Sequence, residues 1–491
     1  MKWIKNNYWL LIILVVFLFV SYFRLGRDWL YDWDEGIYGQ IARELKFPFL
    51  QLSWNGNSWF EKPFLVPLLT SLSFILFGVS EFSARFFMPI LGVLVIFFNY
   101  KLVCLLFNKK AALFSATFFF FAPLFLSRSR MLNTDIALLF STVASLYFFL
   151  ILERKTDKNR IVSWHDWLKI AFLISVGVLS KGVMGFLPLL IWGAYLVFCR
   201  RDLLSKTNIY HWLAIGGLAA LLIIPWHIYM IIRFGRDFWQ VYFIEQVLRR
   251  AYQPIEYHFG GRLYYLKFLW EEFRWGLVFP SFGGVILSWE AFKKKKVNNR
   301  FAFLFIWGGV VFSLFTFSKT KLFWYILPLY PVLSAFWGVF LGKIIGKKFL
   351  FPFDLLILLS QGFWEGLKSA GLAKSRQGVA KNELAIEAFR KCPPPLFFLV
   401  DKNERQAREI LPPELRLSSS FSYGGAPSVV FYYQNKVNFF YDVDKFSNSF
   451  PHSKDGVCAM ISTADYRQLG LKDSLETKII KKENQWLLIR R

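Results

Sequence analysis

Residues 64 to 78 read PheLeuValProLeuLeuThrSerLeuSerPheIleLeuPheGly, an apolar run of about 15 residues whose first turn is flanked by Pro63 and Pro67. A helix needs about 20 apolar residues to cross ~30 Å of hydrocarbon. Other candidate spans lie near 8–24, 84–107, 111–127, 134–152, 167–181, 184–200, 211–232, 264–289, 301–317, 322–342 and 349–363. If 64–78 does not cross, six basic clusters share one side: Lys2/Lys5, Lys109/Lys110, Arg154 to Arg160, Arg200/Arg201/Lys206, Lys293 to Lys296 with Arg300, and Lys343/Lys347/Lys348. If it crosses, every cluster after the first changes side. Short basic loops mark the cytoplasmic face, so the run is read as an interfacial or re-entrant helix on the outer face.

The reading that follows is a polytopic α-helical membrane protein of about eleven spans. Of the 491 residues, 55% are hydrophobic and 20% aromatic, a load that excludes a soluble enzyme, a disordered chain and a disulfide scaffold. The formal charge of +26 falls mostly between apolar segments, as an orientation signal does, and no nucleic-acid motif accompanies it. The domain reading is a membrane domain over 1–363, with a first external loop at 24–83, followed by an external soluble domain over 364–491.

In that tail, ProLeuPhePheLeuVal, SerValValPheTyrTyr, ValAsnPhePheTyr, ValCysAlaMetIleSer and TrpLeuLeuIle read as short strands and GluLeuAlaIleGluAlaPheArg as a helix, giving a small α/β domain. It holds Cys392 and Cys458, whose pairing is left open by spacing alone. The opening segment reads as a retained span, since no small-residue cleavage site follows it.

The non-crossing topology gathers four polar stretches outside: 24–63, 127–133, 233–263 and 318–321. The first contains Asp32, Asp34 and Glu35 among Trp and Tyr, a pattern suited to a cation or a sugar; a solvated loop with an aromatic belt is the bland alternative. Glu61 and Lys62 precede the short helix, where a lysine and free backbone N–H groups suit a phosphate, or where the lysine simply snorkels. Arg128 and Asp135 stand in the second stretch; an acid at a span start must face a polar cavity or a base, unless it only favours the helix dipole. The third offers Glu245, Gln246, Arg249 and Arg250, and the fourth Lys321 with Tyr325 just beyond. Bases retained on the outer face suit a polyanionic ligand. No glycine-rich phosphate loop, HExxH, CxxC or GxSxG element is present, which argues against nucleotide-driven transport, zinc proteases, redox enzymes and serine hydrolases.

AspGluGlyIleTyrGlyGlnIleAlaArgGlu (34–44), TrpPheGluLysPro (59–63), LeuPheGlyValSerGluPheSerAlaArg (76–85), LeuSerLysGlyValMetGly (179–185) and LysLeuPheTrpTyrIleLeuProLeuTyrPro (321–331) together resemble the GT-C membrane glycosyltransferases of the aminoarabinose transferase and protein O-mannosyltransferase group. The resemblance implies a GT-C fold with external juxtamembrane helices, a polyprenyl-phosphate sugar donor, a lipid, protein or glycan acceptor, and no nucleotide cofactor. It maps the family's acidic first-loop residue onto Asp34, and Asp34 with Glu35 beside it are the expected catalytic residues. Lys62, Arg249, Arg250 and Tyr325 are expected at the donor phosphate, with Arg128, Asp135 and Lys321 in support. Glu61 and Glu245 are the candidate ligands of a divalent cation. Two positions depart from the pattern: Ile37 stands where aminoarabinose-type members commonly have Arg, and Gln246 where many have a histidine.

The expected reaction is glycosyl transfer at the outer face of the cytoplasmic (inner) membrane; a transporter or flippase of a lipid-linked anion and an assembly subunit are the other classes considered. Cysteine labelling tests the topology: a site near Lys295 is expected to stay protected from an impermeant reagent, and one near residue 430 to react. Both on one side would defeat the scheme.

Overall fold

The computed structural model describes residues 2–46, 50–204, 206–293, 299–345, 376–417, 419, 422–450, 452–453, 456–471 and 477–491. The expected span at 349–363 and the boundary at 363/364 lie outside them. Among the described residues, six helical stretches are long and apolar enough to cross a membrane. Several expected spans take a different form. The first helix, Lys2–Tyr22, kinks at Asn7. The expected span at 111–127 becomes Lys109–Phe118, a tight turn at Phe119–Phe121 and a second helix Pro123–Arg128, because Pro123 has no N–H to continue the first. The 264–289 stretch breaks at Arg274, where φ is +45°.

The deciding run forms Leu65–Phe77, 13 residues with Gly78 at its end. At 1.5 Å per residue it rises ~20 Å, short of the ~30 Å core. Val66, Pro67, Thr70, Ser71, Ser73 and Phe74 face the protein, while Leu72, Ile75, Leu76 and Phe77 are exposed. An outward face made only of large apolar side chains is what a helix lying in a membrane interface presents.

Trp164–Lys181 and Leu187–Cys199 turn back on one another through Gly182, at φ +62°. The hairpin is tight enough that a Cβ on Gly185 would fall 2.0 Å from the Val178 nitrogen. This turn carries Lys181 to the rim. The third outer stretch is not a loop, as expected, but helical almost throughout. Lys206–Trp239 runs past Pro225 into a wider i→i+5 winding at Gln240–Arg249 and then Arg250–Tyr252.

The tail builds a five-stranded sheet ordered Val437–Phe440, Leu396–Leu399, Cys458–Ser462, Trp486–Arg490, Lys478–Glu483. The first three run parallel and the last two pair antiparallel. Cys392 and Cys458 form a disulfide that ties the Arg376–Lys391 helix to the central strand. One expected strand is a helix: Ser428–Tyr433 is buried on every side, and it lies across the first external loop instead of joining the sheet. Its β-branched and aromatic composition imitates a strand because both environments reward bulk. Lys478–Glu483 is the strand that escaped the sequence reading, its charges masking its alternation.

Gly185→Val should lower stability by about 3 kcal/mol or more, since backbone rather than a flexible side chain blocks the added atoms. Gly217→Val, in open space, should leave the thermal midpoint in detergent nearly unchanged; equal midpoints for the two variants would refute the hairpin packing.

Candidate active site

The three acids of the first loop are separated by their partners. Glu35 is fully buried, and Arg85 grips it in a two-point pair, Nε to Oε1 and Nη2 to Oε2 at 2.7 Å each. Its oxygens also accept the Leu132 N–H at 2.8 Å and the Tyr31 N–H at 2.9 Å. Arg85 donates further to the carbonyls of Leu25, Asp28 and Trp29. A carboxylate so committed has no capacity for chemistry, which corrects the expectation of a catalytic Glu35: it is a strut. Asp32 accepts from the Ser428 N–H and hydroxyl and so caps the Ser428–Tyr433 helix. That helix reaches it because Gly36 and Gly39 carry no side chain; a Cβ on Gly36 would lie 2.7 Å from the Ser428 nitrogen.

Asp34 is left outside both of these contact sets, with Arg128 as its partner. Its side chain is 38% exposed, and it accepts from Arg128 Nη1 at 3.2 Å. Burial among neighbouring segments pushes its carboxyl above the ordinary range, against the pull of Arg128. Arg128 also lies 3.7 Å from Asp135 and stacks over Trp324 at 4.1 Å. Asp135 in turn pairs with Lys181, whose ammonium sits over the Tyr325 ring at 5.3 Å. The acid at the span start is therefore paired, as its depth requires.

Beside this chain of charges lies a cavity of about 630 Å³. Glu61, Lys62, Asp135, Lys181, Gln246, Arg250 and Tyr325 form its polar floor, and leucines, phenylalanines, Val183 and Met184 its wall. Phe186, Leu190 and Phe317 are exposed on the outer side of that wall. Lys62 donates to Gln246 Oε1 at 2.7 Å, and Arg250 Nε donates to the same oxygen at 3.0 Å. Burial, with Arg250 and Lys181 nearby, pushes the Lys62 ammonium down to about 7. Glu61 accepts from Tyr423 at 2.6 Å and from Ser419, both in the C-terminal domain.

One expected phosphate ligand, Arg249, and one expected supporting residue, Lys321, point elsewhere. Arg249 bonds the Glu414 carbonyl and Gln253, and approaches Glu245 at 3.7 Å, so it docks the C-terminal domain while Arg250 faces the cavity. Lys321 donates to the carbonyls of Phe315 and Thr316, closing the end of the Asn299–Phe317 helix. The expected cation pair does not fit either. Glu245 faces an arginine, one Glu61 oxygen is taken by two hydroxyls, and no group of three acidic, histidine or cysteine side chains occurs among the described residues. Divalent cations of the hard type want six or more oxygens.

Sequence reasoning singled out Gln246 only as a polar residue of the third stretch and a departure from the family pattern, and gave no role to Ser419, Tyr423 or Lys181. Lys181 is marked only by its place in the SerLysGly motif; Ser419 and Tyr423 carry no local signal.

The fold matches solved structures along its whole length. ArnT from Cupriavidus metallidurans, bound to undecaprenyl phosphate, superposes with a TM-score of 0.76 at 19% identity over 98% of each chain. The archaeal oligosaccharyltransferase AglB from Archaeoglobus fulgidus gives 0.55 at 16% identity, over 89% of this chain and 64% of that one. The profile of the dolichyl-phosphate-mannose-protein mannosyltransferase family matches residues 61–229. An uncharacterized protein of Aquifex aeolicus is 30% identical over 345 residues, 67% of this chain and 73% of its own length. The chain belongs to the GT-C membrane glycosyltransferases. A further relative in this glycosyltransferase group is the undecaprenyl phosphate-alpha-4-amino-4-deoxy-L-arabinose arabinosyl transferase of Pectobacterium atrosepticum, 27% identical over 349 residues. The match covers 69% of this glycosyltransferase and 60% of that relative.

Breaking the Glu35–Arg85 pair should destabilise by about 3–5 kcal/mol, the range for stranding a buried charge. Glu35→Ala should therefore drop the thermal midpoint sharply. A Glu35→Gln protein that keeps its fold should retain measurable turnover, which a truly catalytic carboxylate would not allow.

Proposed function

We propose that this chain moves a single sugar, hexosyl or pentosyl, from a polyprenyl-phosphate donor to a hydroxyl or related nucleophile of a lipid, protein or glycan acceptor at the outer face of the cytoplasmic membrane. The observation that carries the reading is the two-sided cavity, with cations on its floor and an apolar wall leading to the lipid-facing surface. That combination suits a ligand with a phosphate head and a prenyl tail. The Cupriavidus protein bound to undecaprenyl phosphate and the Pectobacterium arabinosyl transferase support the donor class. Nothing in the comparisons supports a transporter.

In this reading the acceptor oxygen attacks the anomeric carbon and the bond from that carbon to the phosphate oxygen breaks. The electron pair leaves with polyprenyl phosphate, and Asp34 takes the acceptor proton. Its raised basicity helps, because a carboxylate is a better proton acceptor as its pKa approaches the working pH. Arg128 holds Asp34 in place and steadies its charge beforehand. Lys62 and Arg250 meet the charge developing on the departing phosphate, in a dry site where such contacts count most. No step is routed through a metal, given the poor fit of Glu61 and Glu245.

Lys62→Ala should weaken undecaprenyl phosphate binding by about 10- to 100-fold, the loss of one charge-assisted hydrogen bond. Asp34→Asn should cut turnover by about 10²- to 10⁴-fold with donor affinity kept. The ammonium form of Lys62 is lost as pH rises through about 7, so donor affinity should fall above that pH in the wild type and hold in Lys62→Arg. Flat pH dependence together with unchanged affinity in Lys62→Ala would remove Lys62 from the site.

A further inference from the structure

Gln246 sits at the centre of the cation pair and has half of its side chain unused. Its Oε1 accepts from Lys62 at 2.7 Å and from Arg250 at 3.0 Å. Both partners are donors only, so the oxygen must be the atom facing them and the Nε2 group must face away. That Nε2 is buried from solvent and has no hydrogen-bond partner among the described residues. A buried amide donor without an acceptor is destabilising, and such a deficit at a cavity wall can be met by an acceptor on whatever fills the cavity.

The backbone here is also unusual. Gln246 lies in the wide i→i+5 winding of Gln240–Arg249. Wider turns align residues four to five apart instead of the 3.6 of an ordinary helix. Tyr242, Gln246, Val247, Arg250 and Ala251 consequently share one face and all line the cavity. Windings of this kind occur often at functional sites.

Resting on the donor reading above, we propose that Gln246 is a donor-binding residue, whose amide oxygen gathers Lys62 and Arg250 onto one point while its amide N–H donates to a phosphate oxygen of the polyprenyl-phosphate donor. An amide suits this task for an electrostatic reason. Two cations in contact need an acceptor between them, and a carboxylate there would cancel one of the charges that the phosphate requires. A histidine would accept only while neutral. The amide accepts and donates at every pH and carries no charge. The charged groups around Lys62 are Arg250 from the helix bearing Gln246, Glu61 on its own loop, Lys181 from the hairpin turn and Asp34 from the first loop. Gln246 is the uncharged member of that ring.

The test uses the purified full chain with undecaprenyl phosphate and undecaprenol as probes, so that preference for the phosphate is separated from prenyl binding. Gln246→Met keeps length and volume but removes both the acceptor and the donor; it should lower the phosphate-over-alcohol preference about tenfold with the thermal midpoint preserved. Gln246→Glu should also weaken phosphate binding, and its added negative charge favours the Lys62 ammonium. It should therefore move the descending limb of the pH–affinity curve to higher pH, a shift that a packing role would not produce. Retention of the full phosphate preference in Gln246→Met, or an unmoved limb in Gln246→Glu, overturns the inference and leaves the donor reading intact. A wild-type chain with no preference for the phosphate over the alcohol overturns the donor reading, and this inference with it.

Discussion

The Glu35–Arg85 pair is the constraint on which the outer surface depends. Both groups are buried, and ions in such a place persist only when every lone pair and N–H is met. Meeting them requires the carbonyls at Leu25, Asp28 and Trp29 and the N–H groups of Tyr31 and Leu132 to converge from two separate external loops. Satisfying one ion pair thus folds the first loop against the second. It also decides which way the neighbouring acid points, because adjacent helical side chains diverge. With Glu35 turned inward, Asp34 is directed at Arg128.

The charges of the site divide into two kinds of arrangement. Arg128 and Lys181 alternate with Asp34 and Asp135, so these four largely neutralise one another and fix geometry. Lys62 and Arg250 are instead joined through a neutral amide, and the nearby Glu61 is held by hydroxyls from the C-terminal domain. In the proposed reading, positive charge is kept where the phosphate would lie and cancelled around the proposed proton acceptor, Asp34. The contrast between a paired and an unpaired set of cations is a stronger mark of an anion site than the number of basic residues.

Hydropathy and strand alternation made the membrane class, the short helix at 64–78 and four of the five tail strands legible, because each is a local property of the chain. The failures are the features that tertiary contact decides. Ser428–Tyr433 has strand composition and becomes a helix because the glycines at 36 and 39 open a groove for it. Arg249 and Arg250 are indistinguishable in sequence, yet adjacent positions on a helix face apart, and only Arg250 faces the cavity. Glu35 and Asp34 part for the same reason. Lys321 read as a supporting base of the site and is spent on helix carbonyls six and five residues before it.

The most distant of these contacts also bears on how the site is assembled. Glu61 and Tyr423 are 362 positions apart, and Asp32 and Ser428 are 396 apart. The C-terminal domain therefore supplies the hydroxyls that hold a cavity carboxylate and the helix that fixes the acidic loop. Asn55 adds a reciprocal pair of hydrogen bonds with the backbone of Val437, at 2.8 and 2.9 Å, covering the edge of the outer sheet. The pair caps the start of an edge strand that would otherwise offer those groups to another chain. Its pairing partner is the same first loop that carries Asp34. The external domain and the acidic loop are consequently one structural unit: a change that undocks the domain releases Asp32, Glu61 and the loop between them together, even where every membrane helix keeps its place.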